Sequence, residues 1–456
     1  MEKAVRPNGS VRALSSMGGI MLGIVLGLGL VAGAKGEEKK VQGMLTKDDV
    51  LSVKDGRFQL DGRPFAEISF NKFDLLWQLY DQALAGKALG TDNPMVQAQD
   101  AALRNLHEMG FRTIRVFGAP WGPSEPESYA DPEKRKKLYA AIDKALELCD
   151  QHDIRVVWSL GAGTFTDTRL VPRKGWVRGE EQERELMEDR ESRGRRLLYQ
   201  YIDETVSRYR NRKAILMWEI SNELTLGADI GDKNGVYNGE RMPTLKDVAA
   251  FDDDVAKRIK ASDPLRMVNN GGSCLREGQW HLYQRKGWGP DTLEEQFKCL
   301  ELLFADNAVD VIDIHYYPNN TPGNLIMGTD GKKTILDEKG YMALAERVGK
   351  PLMIGELGMI SAAKTDKKIW EATPDYFESY MDTAAARPWI EKTLNGVIDA
   401  GVQLAYWWCY QSDRRTDQNN PQRDDIERVR NPELLQSIVA ANRRLQEKLG
   451  VQQASR

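Results

Sequence analysis

Short apolar runs alternate with helical periods eight times along the chain, and this alternation constrains the fold more than any other feature. The runs contain many β-branched and aromatic residues and little polar alternation, which is typical of parallel strands covered on both faces. The predicted strands are 65–70, 112–117, 154–160, 214–220, 265–270, 309–317, 350–357 and 401–408. A strand followed by a helix, repeated eight times, predicts an α/β protein with a closed (β/α)8 barrel.

Amphipathic stretches between these runs predict the helices. The segment 93–110 has Asn93 as an N-cap, Pro94 in its first turn and Gly110 as its stop. The segment 245–264 ends before Pro264. Further helices are predicted near 132–152, 184–210, 291–306, 336–349, 386–400 and 433–449.

The main competing fold is a doubly wound open sheet. Such a sheet usually carries a glycine-rich phosphate turn after its first strand, and residues 69–77 contain no glycine. Before the barrel, residues 50–65 read as a β-hairpin with turn signals at Asp55-Gly56 and Asp61-Gly62. Long loops are predicted after strands three, four, five and eight, at 169–185, 225–243, 271–290 and 411–425. Loops of this length are usually functional in a compact domain.

The first residues have the three parts of a secretory signal. Basic residues precede residue 17, an apolar stretch fills 17–32, and Ala32-Gly33-Ala34 provides a small-residue cleavage site. We expect cleavage after Ala34. An uncleaved membrane anchor is the alternative, but the apolar stretch is shorter than the roughly 20 residues that a spanning helix needs.

The predicted organisation is therefore a secretory signal at 1–34, an N-terminal segment with the hairpin at 35–63, and a single catalytic barrel at 64–450. No other long apolar run occurs, so we expect a secreted protein, extracellular or periplasmic, without stable membrane association after cleavage. Export leads to an oxidising space in which Cys149, Cys274, Cys299 and Cys409 could pair, although the sequence does not determine which.

Charge and histidine content exclude two classes of function. The chain has 64 Lys and Arg against 68 Asp and Glu, for a formal net charge of −4, whereas nucleic-acid binders usually show a basic excess. Its four histidines lie far apart, and none forms a zinc spacing such as H-E-x-x-H. We therefore expect neither a nucleic-acid partner nor a metal.

Two glutamates close predicted strands four and seven, at the edge where barrel enzymes carry their active sites. Glu223 lies in WEISNEL (218–224), and Glu356 lies in IGELG (354–358). Burying a lone carboxylate is costly, so the presence of a Glu at the end of an apolar strand needs an explanation. Either could form a local salt bridge or cap a helix. Two opposed carboxylates at a barrel mouth, however, are the groups that hydrolyse glycosidic bonds.

These residues resemble the clan A retaining glycosidases, and within that clan glycoside hydrolase family 5, which contains cellulases and mannanases. The pair Asn222-Glu223 resembles the acid/base motif of strand four, and Glu356 the nucleophile of strand seven. Matches to further family positions at strand ends are found at Arg115, His315, Tyr317 and Trp408, with Trp407 as a rival to Trp408. Many members carry a His at the end of strand three, where this chain has SLGAG (159–163). This departure favours the mannanase-like branches.

The resemblance implies a role for each residue. Glu223 would be the general acid and base, and Glu356 the nucleophile. Arg115 and Tyr317 would keep Glu356 ionised. The sugar contacts would come from Asn222 on the 2-hydroxyl, His315 near the acid and Trp408 beneath a pyranose face. We expect Glu219 to be structural.

The sequence thus predicts a secreted retaining glycoside hydrolase that cleaves β-1,4-linked polysaccharide, endo-acting on β-mannan, without a cofactor and as a monomer. Three alternatives remain open at this point. The first is a β-1,4-glucanase or an exo-β-glycosidase of the same fold. The second is a carbohydrate-binding barrel that has lost catalysis, and the third is an exported structural protein without a cleft.

Overall fold

Eight parallel strands form a barrel in the computed structural model, which describes residues 45–119, 129–165, 180–237, 239–317, 324–358, 383–410 and 432–451. The strands are β1 (Glu67–Asn71), β2 (Thr113–Phe117), β3 (Arg155–Ser159), β4 (Ile215–Glu219), β5 (Val268–Asn269), β6 (Ile312–Tyr316), β7 (Leu352–Leu357) and β8 (Leu404–Trp407). All eight predicted strands are confirmed.

The strand order excludes an open sheet. The ladder runs β5-β4-β3-β2-β1-β8-β7-β6 with parallel pairing throughout. A parallel bridge between Asn269 and Val311 joins its two ends. The cylinder is therefore closed, and the carboxyl ends of all strands meet at one mouth.

The predicted N-terminal hairpin is present. Strands Ser52–Lys54 and Arg57–Leu60 pair antiparallel, and a short third strand, Arg63–Pro64, extends the sheet. Phe58 donates its N–H to the side chain of Gln403, just before β8, at 2.9 Å. Phe58 also packs with inward residues of the barrel in one buried cluster. The hairpin thus covers the amino ends of the strands, opposite the mouth.

Helices surround the barrel at the predicted places. They are Leu75–Leu84, Pro94–Glu108, Pro132–Gln151, Glu180–Glu188, Arg193–Tyr209, Leu245–Ser262, Gln279–Tyr283, Leu293–Phe304, Glu338–Val348, Thr383–Ala400 and Pro432–Leu449. The Asn93 side chain accepts hydrogen bonds from the N–H groups of Met95 and Val96, as an N-cap does. Leu75–Leu84 and Gln279–Tyr283 were not predicted, and the one helix predicted near 184–210 is divided into Glu180–Glu188 and Arg193–Tyr209.

In the described residues, the loop segments add three short 3-10 turns and two small hairpins. The turns are Lys47–Asp49, Ala162–Phe165 and Leu224–Gly227. The hairpins pair Val236–Tyr237 with Glu240–Arg241, and Leu325–Met327 with Lys333–Ile335.

Several predictions fall partly or wholly outside the described residues. The signal at 1–34 and the loop at 411–425 lie outside them, as does most of the loop at 169–185. Among the described helices, none has the length and apolar character to span a bilayer. All four cysteines are within the described part of the chain, and no disulfide joins any two of them.

Candidate active site

A buried arginine organises the mouth of the barrel. Arg115 lies on β2, and its Nε and Nη2 atoms each donate to one carboxylate oxygen of Glu219 on β4, both at 2.7 Å. Burial alone would lower the pKa of Arg115, but the neighbouring carboxylates of Glu219 and Glu356 raise it above its ordinary value. Arg115 is therefore a fixed positive charge.

The same guanidinium contacts three further residues, which lie at the ends of β7, β1 and β4. Nη1 donates to Oε1 of Glu356 and to Oδ1 of Asn71, both at 3.0 Å. Nη2 donates to Oδ1 of Asn222 at 2.8 Å. Because a guanidinium carries five N–H donors in one plane, this single side chain sets the relative positions of residues from four strands.

Glu356 closes β7 and is buried. Its Oε2 accepts a hydrogen bond of 2.7 Å from the Tyr317 hydroxyl. Burial raises the pKa of Glu356 above its ordinary value, and the charge of Glu223 adds to the rise. The charge of Arg115 and the hydrogen bond from Tyr317 oppose this rise. The hydrogen bonds from Arg115 and Tyr317 thus favour the ionised form of Glu356, whereas desolvation favours the protonated form.

His315 on β6 lies between the two glutamates. Its Nδ1 is 2.9 Å from Oε1 of Glu223 and 3.5 Å from Oε1 of Glu356. Burial lowers the pKa of His315 to about 4, so the ring is neutral near neutral pH. We assign its single proton to Nδ1, since both neighbours of that atom are acceptors. One atom from each of the three side chains lies within 4.8 Å of the others.

Glu223 has an unusual backbone conformation. Its φ is 56° and its ψ is 37°, in the left-handed region that few non-glycine residues adopt. Side chains of successive residues in a regular strand point to opposite faces. Here the turn at Glu223 breaks that alternation, so Asn222 contacts Arg115 while Glu223 contacts His315.

Trp408 follows β8 in an aromatic cluster. Its ring stacks on Phe73 with centroids 4.6 Å apart and an interplanar angle of 14°. Phe117 lies 5.9 Å from Trp408, and the Arg115 guanidinium lies 5.3 Å from the Phe117 ring centre. Trp407 is 3 % exposed, whereas Trp408 is partly exposed, so of these two rings Trp408 is the one that reaches the surface.

Six of the seven predicted site residues form one continuous set of polar contacts. They are Arg115, Asn222, Glu223, His315, Tyr317 and Glu356. Trp408 joins this set only through the rings of Phe73 and Phe117. Glu219, expected to be structural, holds Arg115 in place.

Two residues of this network, Asn71 and Asp313, were not predicted from the sequence. Asn71 accepts from Arg115 and donates to the carbonyls of Gly355 and Tyr406 at 2.9 and 3.0 Å. Asp313 accepts the Gly355 N–H at 2.7 Å, and burial raises its pKa well above the ordinary value. A polar residue ending the first apolar run was a usable signal for Asn71. Asp313 could have been found from its spacing, two residues before His315.

Two sets of described side chains have a spacing that could hold a metal ion. One is Glu223, His315 and Glu356. The other, at the barrel's periphery, is His281, Asp291 and Glu295. In the first set, Nδ1 of His315 is hydrogen-bonded to Glu223, and Glu356 accepts from Arg115 and Tyr317. In the second, His281 is also hydrogen-bonded to the carbonyl of Gly289 at 2.9 Å.

No family model and no curated protein matches the chain by sequence. Solved structures do match it by fold. A glycoside hydrolase family 5 mannosidase from Rhizomucor miehei aligns with a TM-score of 0.60 and 14% identity, covering 89% of this chain and 99% of that one. An endo-1,4-β-mannanase from the same organism gives 0.57, 14%, 87% and 99%.

A third solved structure is an endo-β-1,4-mannanase from Thermotoga petrophila. It aligns with a TM-score of 0.53 and 16% identity, covering 84% of this chain and 78% of that one. The chain therefore has the (β/α)8 fold of the glycoside hydrolase family 5 mannosidases and mannanases.

Proposed function

We propose that this chain is a retaining β-glycosidase of glycoside hydrolase family 5 that cleaves β-1,4-mannan internally. The observation that carries the proposal is the approach of two carboxylates. One oxygen of Glu223 and one oxygen of Glu356 lie within 4.8 Å of each other across the barrel mouth. Retaining enzymes separate the two carboxyl groups by about 5–5.5 Å, whereas inverting enzymes leave roughly 6.5–9.5 Å for a water molecule.

The environments of the two glutamates suit different roles. Glu356 receives hydrogen bonds from a fixed cation and a phenol, which favour the anion that attacks the anomeric carbon. Glu223 is more exposed, at 27% of its side chain against 7% for Glu356, and contacts a neutral imidazole. This position suits a group that protonates the leaving oxygen and then deprotonates water.

The sugar contacts follow from the same geometry. Asn222 is held by Arg115 beside both glutamates, where it can bond the 2-hydroxyl in the transition state. Trp408 presents a partly exposed ring that suits the apolar face of a pyranose. The fold shared with mannanases and the lack of a His at the end of β3 favour mannan over cellulose.

The decisive experiment compares the wild type with Glu356→Gln on soluble mannan, glucomannan and cellulose. We expect hydrolysis of mannan by the wild type, a first product of β configuration by NMR, and a loss of at least about a thousandfold in the variant. Glu338→Gln is the matched control, because Glu338 is a buried carboxyl on a helix outside the network. A product of α configuration would rule out retention, and turnover of cellulose alone would move the assignment to glucanases.

We further propose that the protein is exported and cleaved after Ala34. The basic start, the apolar stretch at 17–32 and the small residues at 32–34 support this. N-terminal sequencing of the protein recovered from the culture medium or periplasm tests it. Retention of residues 1–34 in a membrane fraction would instead indicate an anchor.

A further inference from the structure

The backbone ladder between the ends of β4 and β5 contains one extra residue. Three N–H groups on the β4 side, those of Trp218, Ile220 and Glu223, donate to the carbonyls of Met267, Asn269 and Gly271. The acceptors are spaced two residues apart, as in a regular parallel ladder. The donors are spaced first by two and then by three. Such a bulge re-aims the side chains that follow it.

Gly271 lies against this bulge so closely that a side chain would not fit. Its φ is +64°, and a Cβ atom at this position would lie 1.8 Å from the carbonyl oxygen of Ser221 and 2.9 Å from Cδ of Glu219. The Ser221 oxygen belongs to the main chain directly before Asn222 and Glu223, so it cannot move away without moving them. Any side chain at 271 must therefore displace the segment that carries the proposed acid.

Both the carbonyl and the N–H of Gly271 form hydrogen bonds. Its carbonyl accepts the N–H of Glu223 at 2.7 Å, and its own N–H donates to Oδ1 of Asn269 at 2.8 Å. Asn269 is buried on β5 and so ties Gly271 to the barrel wall. The left-handed turn at Glu223 is thus held from outside its own strand.

We propose that Gly271 is a positioning residue for Glu223. By lacking a side chain and by accepting the Glu223 N–H, it maintains the bulge that turns Glu223 toward His315. The inference rests on the proposed function, since it assumes that Glu223 is the general acid.

The test measures how strongly activity depends on the leaving group. A poor leaving group, as in mannan, needs a proton from the acid, whereas a dinitrophenyl leaving group does not. For Gly271→Ala we expect kcat/KM on mannan to fall about a hundredfold, but kcat/KM on a dinitrophenyl β-mannobioside to fall only a few-fold. Gly287→Ala is the matched control, because Gly287 also has positive φ, at +86°, but has open space around it. Its ratio between the two substrates should stay at the wild-type value.

Equal losses on both substrates in Gly271→Ala would overturn the inference, since they would show general damage to the site. If that variant does not fold, Asn269→Ala serves instead, because it removes the acceptor of the Gly271 N–H and keeps the glycine. It should change the ratio in the same direction, and an unchanged ratio would overturn the inference. Glu223→Ala separates the two levels. Wild-type turnover of mannan by this variant would reject the proposed function itself.

Discussion

Nη1 of Arg115 lies 3.0 Å from Oε1 of Glu356, while the rest of the guanidinium holds both oxygens of Glu219 at 2.7 Å. One buried cation is therefore shared between two carboxylates, with two hydrogen bonds to Glu219 and one to Glu356. The bidentate pair with Glu219 fixes the orientation of Arg115. The single bond to Glu356 leaves the second oxygen of that carboxylate to Tyr317.

Replacing Arg115 with lysine tests the geometry of this pairing. An ammonium group keeps the charge but cannot satisfy Glu219 at two oxygens and also reach Glu356, Asn71 and Asn222. We expect kcat to fall about a hundredfold or more, and the free energy of unfolding to fall by roughly 3 kcal/mol, as measured by denaturant titration. Arg135→Lys, in a half-buried pair with Glu204 at 3.8 Å and outside the active-site network, is the control and should change kcat and the free energy of unfolding much less.

Removing the Tyr317 hydroxyl should shift the pH profile in a defined direction. Its hydrogen bond favours ionised Glu356 and so lowers the pKa of that carboxyl. In Tyr317→Phe the pKa rises, and the acidic limb of kcat/KM against pH should move upward by about one pH unit. The exposed Tyr237 provides the control variant Tyr237→Phe. A limb that stays in place would show that Glu356 does not control it.

His315 should remain neutral across the working range of pH. Because burial lowers its pKa to about 4, its ring signals in an 15N-edited NMR spectrum should not titrate between about pH 5 and 8. His315→Asn identifies the signal, and the exposed His107 gives an internal comparison. Titration of His315 within that window would mean that it enters the reaction as a cation.

Trp408→Ala should affect substrate binding more than chemistry. The ring stacks on Phe73 and presents a partly exposed face, but it makes no described hydrogen bond to either glutamate. We expect KM for mannan to rise roughly tenfold, from loss of stacking worth about 1–2 kcal/mol, with a smaller change in kcat. A drop in kcat alone would place Trp408 outside the substrate-binding surface.

Glu67, at the start of β1 and away from the active site, should make the free energy of unfolding depend on pH. Burial raises its pKa from 4.5 to about 7, even though Arg112 and Thr113 donate to it. The folded state then binds a proton that the unfolded state has released, so stability is lost as the pH rises from about 4.5 to 7. Relative to Glu67→Gln, the wild type should lose up to roughly 3 kcal/mol of unfolding free energy over this range, measured by urea titration at each pH. An opposite slope would contradict the assignment.

The eight strands and the residues at their ends could be predicted because their signals are local. An apolar run such as 112–117 identifies its strand without reference to the rest of the chain, and the chain order of eight such runs allows one closed barrel. Once β4 and β7 end at one mouth, Glu223 and Glu356 meet there. The six-residue prediction at 265–270 was too long, since only Val268–Asn269 forms β5.

The tertiary structure decided where individual side chains point and how they are charged. Strand alternation would send Asn222 and Glu223 to opposite faces, whereas the left-handed turn at Glu223, whose N–H donates to the carbonyl of Gly271 just after the neighbouring strand, brings both to the cleft. Likewise, the neutral state of His315 and the raised pKa of Glu356 come from burial among groups distant in sequence. The sequence pattern therefore determined the barrel and the positions of its two carboxylates. Desolvation and contacts between strands determined the direction and charge state of each side chain, because these effects depend on neighbours that come together only on folding.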